Sequence, residues 1–220
     1  MNDHRDIRVW DPLVRVFHWT LVAAFFTTYL SEGEPAWLHT NAGYLIAILL
    51  GVRLAWGLVG TRHARFSDFV TSPFTAARYL VAELAGRARR YLGHNPAGGW
   101  MVIALMLSLL ATTLAGMALY AVEEGEGPLA GVIAAGPEAD GGLGVARLMT
   151  VSDDDSDEHE DDDEAGEFFE DIHEFLANFT LFLVILHVAG VALGSFRHRE
   201  NLVASMWHGY KRRLDAGTDR

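Results

Sequence analysis

Four runs of apolar residues, almost free of charge, dominate the alternation of hydrophobic and polar positions along this chain. They cover about residues 12–30, 37–59, 99–122 and 172–196. A helix needs about 20 such residues to cross a bilayer core, so the pattern predicts an all-α integral membrane protein built as a four-helix bundle. The first run resembles the apolar part of a signal peptide, but it outlasts the about 15 residues of such a segment. The sequence after it, Ser31-Glu32-Gly33-Glu34-Pro35, has no small-x-small cleavage site. It is expected to stay as a helix.

The connection between the second and third runs carries a pattern of its own. Ser72-Pro73 suits a cap followed by a first helical residue, and Tyr79, Leu80, Leu84, Ala88, Tyr91 and Leu92 recur at helical spacing with arginines between them. This predicts a short interfacial helix lying on the membrane surface, broken by Gly93-His94-Asn95-Pro96.

Charge sets the orientation. The second connection holds Arg62, Arg65, Arg78, Arg87, Arg89 and Arg90, and the tail holds Arg197, Arg199, Lys211, Arg212, Arg213 and Arg220. Positive loops stay inside, so both are expected to be cytoplasmic, together with both termini. Residues 123–171 contain 18 of the 29 acidic residues and a single base, Arg147. This long acidic loop is therefore expected outside, in the periplasm of a bacterium. Half the chain is hydrophobic while the net charge is -12, a combination rare in soluble domains. No nucleic-acid partner is expected; membrane lipids are. Cysteine is absent, which excludes disulfides, thiolate-held clusters and covalent CxxCH haem attachment.

The candidate chemistry lies in the histidines. His173 and His187 are fourteen residues apart in the last apolar run, which is nearly four helical turns and about 21 Å on one helix face. His187 and His18 share a depth toward the cytoplasmic side, and His39 and His173 share one toward the outside. The natural pairs are thus His18 with His187 and His39 with His173. Imidazoles inside a membrane are costly unless hydrogen-bonded or bound to metal. Two facing imidazoles suit a haem iron with both axial positions filled, which favours electron transfer over oxygen chemistry. A single zinc or copper site fits less well, since the two pairs are too far apart to converge. Gly43 and Gly190 sit one turn beyond His39 and His187 and could give a flat macrocycle clearance. Arg15 and Arg53 lie near the inner level, where they could pair with haem propionates or instead reach lipid phosphates. His63, His94, His198 and His208 fall among arginines, where contact with water or headgroups is the expectation.

The runs VWDPLVRVFHW at 9–19, RLAWGLVGTRHARFSDFV at 53–70, GHNPAGG at 93–99, LHVAGV at 186–191 and HREN at 198–201 together resemble the bacterial cytochrome b561 family. That family is similar to the b-type cytochrome subunits of nickel-iron hydrogenases and formate dehydrogenases. The resemblance covers almost the whole chain outside the acidic insertion. It implies a single diheme cytochrome b domain over residues 1–220, interrupted by the glycine-containing insertion at 123–171, in the bacterial inner membrane. It implies two non-covalent b haems on His18, His39, His173 and His187, and electron transfer between a periplasmic redox partner and the quinone pool. By the same analogy a quinone would sit near the inner haem, within reach of His94, Arg53 or His198.

Three readings of the acidic tract at 153–164 stand side by side. It could be solvated and self-repelling, or dock a basic c-type cytochrome, or bind calcium. The last is weak, because position six of a loop starting at Asp153 is Glu158 rather than glycine. For the chain as a whole, alternatives are a stand-alone oxidoreductase reactive with superoxide or quinone, or a haem-free transport or interaction protein. The acidic loop would repel a small anion, which favours the electron-transfer subunit.

Overall fold

The computed structural model describes residues 6–31, 34–133 and 158–213. Its elements run β1 (Ile7–Arg8), α1 (Pro12–Ser31), α2 (Ala36–Val59), a 3-10 turn (Arg62–Ala64), α3 (Phe66–Phe69), α4 (Pro73–Leu84), α5 (Pro96–Glu123), α6 (Ala130–Ile133), α7 (Glu158–Arg197), α8 (Leu202–His208) and β2 (Tyr210–Lys211). Four of them, α1, α2, α5 and α7 from Ala165, are long and apolar enough to cross a membrane. Among the described residues the fold is all-α apart from one short strand pair.

The first two spans match their apolar runs to within a residue or so. The third begins earlier than the run, at Pro96, because Asn95 Oδ1 accepts the Gly98 N–H at 2.6 Å and Pro96 needs no partner in the first turn. The fourth departs most. Instead of starting near residue 172, α7 starts at Glu158 and runs for 40 residues, taking the end of the acidic tract into its first turns. Glutamate is a good helix former, and negative charge is favoured at the positive end of the helix dipole. The rest of that tract, 153–157, and residues 134–152 of the glycine-containing insertion lie outside the described residues. Its described part holds α6, a single turn where only loop was expected.

The surface helix is also shorter than its spacing suggested. Ser72 Oγ caps α4 by accepting the Thr75 N–H, and the helix ends at Leu84. Gly86, at φ +70, turns the chain there. Tyr91 and Leu92 therefore belong to the loop, and Tyr91 reaches Tyr79 as an edge-to-face pair with centroids 5.5 Å apart.

Two compact units divide the chain, with their boundaries inside α5 and α7. The first comprises Met1–Leu107 and Leu181–Arg220. In it α1 packs along α2. Beside the start of α1, Val9, Trp10, Val14 and Ala64 form a buried cluster joined by Trp56, Leu92 and Met206. Asp11 anchors this corner, accepting from Val14 N at 2.9 Å, from Trp56 Nε1 at 3.1 Å and from Thr61 Oγ1 at 2.5 Å. Although burial pushes its carboxyl up, the hydrogen bonds from Thr61, Val14 and Trp56 hold it below the ordinary range.

The chain ends meet in the same unit. β1 and β2 pair antiparallel with Ile7 opposite Lys211, so residues 7 and 211 share one end of the unit. Glu200 locks that arrangement, accepting from Arg90 Nε at 3.2 Å, Arg90 NH2 at 2.5 Å and Arg212 N at 3.3 Å. Lys211 Nζ lies 4.0 Å from the same carboxylate.

The second unit is Ser108–Thr180. Thr180 is fully buried, and its hydroxyl meets Ser108 Oγ at 2.6 Å and Thr112 Oγ1 at 3.2 Å. Alanines at 115, 118 and 121 are buried on α5 in the same unit.

Candidate functional site

His18 on α1 and His187 on α7 face each other within the first unit. Their ring centroids are 6.5 Å apart and the planes are inclined by 51°. A metal held by facing imidazole nitrogens at about 2 Å on each side requires centroids about 6 Å apart, so the gap has the width of one shared ion. His18 Nδ1 is buried with no hydrogen-bond partner, and the edge of Trp19 lies against its ring at 5.0 Å.

Other orphaned polar atoms belong to the same unit. Arg15, one turn before His18, has a buried Nε without a partner, and Arg53 has a buried NH1 without one. Arg53 is only 3% exposed, with its guanidinium over the Phe66 ring at 5.0 Å. A buried guanidinium with unmet donors is costly, and an acidic acceptor would remove that cost. Such an acceptor could be a carboxylate carried by a bound group.

His39 and His173 belong to different units, and each has a complete local geometry. In the first unit, His39 Nδ1 lies 3.1 Å from the Thr28 carbonyl oxygen. In the second, His173 Nδ1 lies 3.0 Å from the Thr112 carbonyl oxygen. A carbonyl only accepts, so in the neutral ring the proton sits on Nδ1 and the lone pair on Nε2. Both rings thus have the tautomer and support typical of a ligating histidine.

Glycines fall into two groups around these rings. At Gly43 and Gly190 an added Cβ would meet nothing within 4 Å, so there is open space beside both. At Gly116 an added Cβ would lie 2.8 Å from His173 Cε1 and 3.0 Å from His173 Nδ1. Gly116 lets α5 approach the His173 ring closely, a role that the sequence reading missed. Its only signal was a glycine inside a long apolar run.

The histidines expected among water and headgroups need correction. His94 lies between the rings of Phe69 and Trp10, with centroids at 4.4 and 4.7 Å, and its Nδ1 is buried without a partner. Burial, then the nearby charges of Arg53 and Lys211, push it down to about 3, so it stays neutral. His198 is 17% exposed, with Nε2 3.3 Å from Glu83 Oε2. Tyr79 OH donates to the same oxygen at 3.1 Å. Trp10 and Phe69 of α3 enclose His94, while Glu83 of α4 meets His198. His63 pairs with Asp68 at 3.1 Å, and His208 remains exposed as expected.

The family model for prokaryotic cytochrome b561 matches residues 9–209. The chain belongs to the prokaryotic cytochrome b561 family. This cytochrome is 28% identical over 155 residues to a protein of Rhizobium leguminosarum bv. viciae named probable Ni/Fe-hydrogenase B-type cytochrome subunit, covering 57% of this chain and 63% of that one. A Cupriavidus necator protein of the same name is 28% identical over 141 residues, covering 51% of this chain and 57% of that one. The match thus spans less than two thirds of either relative. No solved structure matches. With its four apolar helices, the b561 protein is a multi-pass inner-membrane member of a b-type cytochrome family.

Proposed function

We propose that this cytochrome carries electrons across the inner membrane through two b haems, between a periplasmic redox protein and the quinone pool. The single observation that carries this reading is the facing of His18 and His187 across a gap one ion wide. His18 with His187 would hold the inner haem and His39 with His173 the outer one. Haem bound there would supply a one-electron carrier. The protein's own residues do the rest. Thr28 and Thr112 carbonyls fix His39 and His173 with Nε2 as the lone-pair nitrogen. Arg15 and Arg53, with their unmet donors, would hold the propionates, and the open space beside Gly43 and Gly190 would admit the macrocycle.

On this reading the four spans form one bundle in a single domain, 1–220, with 123–171 as a periplasmic acidic insertion. The arginine-bearing connection and both termini are cytoplasmic, in keeping with the pairing of Ile7 and Lys211. Helix α4 lies along the inner surface, where Phe74, Leu80, Val81 and Leu84 are exposed to enter lipid. The relatives' names, probable Ni/Fe-hydrogenase cytochrome subunits, point to a redox protein as partner, and the acidic tract suits a basic c-type cytochrome. A quinone would sit near the inner haem.

Proteoliposomes test this directly, with ferricyanide enclosed and a reductant confined outside. Electrons should cross for the wild type and stop for His18→Ala and His39→Ala. Equal rates in the two variants and the wild type would refute the route.

A further inference from the structure

Beyond electron transfer, we infer that the end of α7 carries a site for one anionic phospholipid. An open groove of about 600 Å³ lies within the first unit, walled by Val188, Val191, Ala192, Phe196 and Val203, with Arg199 at its mouth. From Val188 to the end of α7 at Arg197 the helix rises about 14 Å, close to one leaflet of a core about 30 Å thick. The wall is open to the surroundings, with Phe196 81% exposed. On a membrane-spanning helix those surroundings are acyl chains.

Arg199 supplies the second, independent observation. The end of α7 is a Schellman motif: the Glu200 N–H bonds to Ser195 O and the Arg199 N–H to Phe196 O. The residue at the centre of that motif takes a left-handed conformation, and glycine is the usual occupant. Here it is Arg199, at φ 49, where every other described positive-φ position is glycine. A bulky cation is held where the backbone would prefer none, and among the described residues its guanidinium has no hydrogen bond or ion pair. It stands two residues beyond the last residue of the span, at headgroup level.

Charge decides the class of headgroup. The carboxylate at the groove, Glu200, is already engaged by Arg90 and Arg212 N, with Lys211 beside it. Arg197 points to Leu84 O at 3.1 Å. The mouth therefore has a surplus of guanidinium and no competing free carboxylate, which suits a phosphate without an attached amine. A quinone carbonyl can accept a hydrogen bond from Arg199 but leaves its positive charge uncompensated.

The test compares nanodiscs of phosphatidylcholine with nanodiscs of an equal mixture of phosphatidylcholine and phosphatidylglycerol, reading the thermal midpoint and the lipid retained in native mass spectrometry. For the wild type, phosphatidylglycerol should raise the midpoint by several degrees, and one such lipid should stay bound. Arg199→Gly should lose both effects while remaining at least as stable as the wild type in phosphatidylcholine alone, because glycine suits the backbone there. Arg199→Lys should keep part of the shift. The proposal fails if Arg199→Gly retains the full shift, or if the wild type shows none. It fails equally if soluble glycerol phosphate reproduces the shift, which would mean a site for free phosphate, or if a quinone analogue displaces the retained lipid.

Discussion

Replacing Gly116 with alanine should damage the outer haem site without touching a ligand. The added Cβ would stand 2.8 Å from His173 Cε1 and 3.0 Å from Nδ1. Ordinary carbon contacts begin near 3.5 Å, so the ring has to retreat from α5 by about 0.6 Å. Thr112, one turn earlier on α5, accepts the Nδ1 proton at 3.0 Å, so the same retreat stretches that bond toward about 3.6 Å, beyond useful length. Losing such support typically lowers metal affinity by about 10- to 100-fold, or about 1.4 to 2.7 kcal/mol. Helix propensity acts the other way, since alanine in a helix is better than glycine by about 0.5–1 kcal/mol. A loss of haem in Gly116→Ala therefore cannot come from a weakened helix. The assay is haem content with a redox titration of the two low-spin components, with Gly51→Ala as control because a Cβ there meets nothing within 4 Å. One component should shift or disappear in Gly116→Ala and neither in Gly51→Ala. Wild-type content and unchanged potentials in Gly116→Ala would refute the argument.

Thr180→Val should lower the thermal midpoint, because it takes the partner from the buried Ser108 hydroxyl at a cost of about 1 kcal/mol, while Thr112 Oγ1 keeps its bond to the Ser108 carbonyl at 2.8 Å; an unchanged midpoint would count against that network. Burial raises the Glu200 carboxyl, but hydrogen bonding from Arg90 and the charges of Lys211 and Arg90 outweigh it and hold it below the ordinary 4.5. A depressed carboxyl stabilises the fold above its unfolded value and loses that contribution as pH falls through the folded one. Protection factors for hydrogen exchange at residues 7–10 and 209–211, taken relative to the intrinsic rate at each pH, should therefore fall below about pH 4.5 in the wild type, and already be low at neutral pH in Glu200→Gln, while no difference between the two would remove the clasp from the account. Deleting residues 153–164 should slow electron exchange with a basic c-type cytochrome at low ionic strength and have little effect at high salt; equal rates across the salt series would rule out docking there.

The spans were legible because a run of about 20 apolar residues has few alternatives. The inner pair meets as counting suggested, in one unit and at one ion's width. Local chemistry was partly hidden. Asn95 and Pro96 looked like a break, yet they start α5, since a cap and a breaker use the same residue types. Spacing carried the surface helix too far, because periodicity at Tyr91 and Leu92 could not reveal the turn at Gly86. His94 was misjudged from its arginine neighbours, while Trp10 and Phe69, distant in sequence, are what enclose it. Gly116 was invisible for the same reason: its importance lies in a ring 57 residues away along the chain.

The ratio of haem to polypeptide in the purified protein, taken with a reduced-minus-oxidised spectrum, tests the central claim most directly. The account predicts two low-spin b haems per chain, one lost in His18→Ala or His187→Ala and the other in His39→Ala or His173→Ala. A ratio of one or zero, or both haems surviving in any of these four variants, would contradict it.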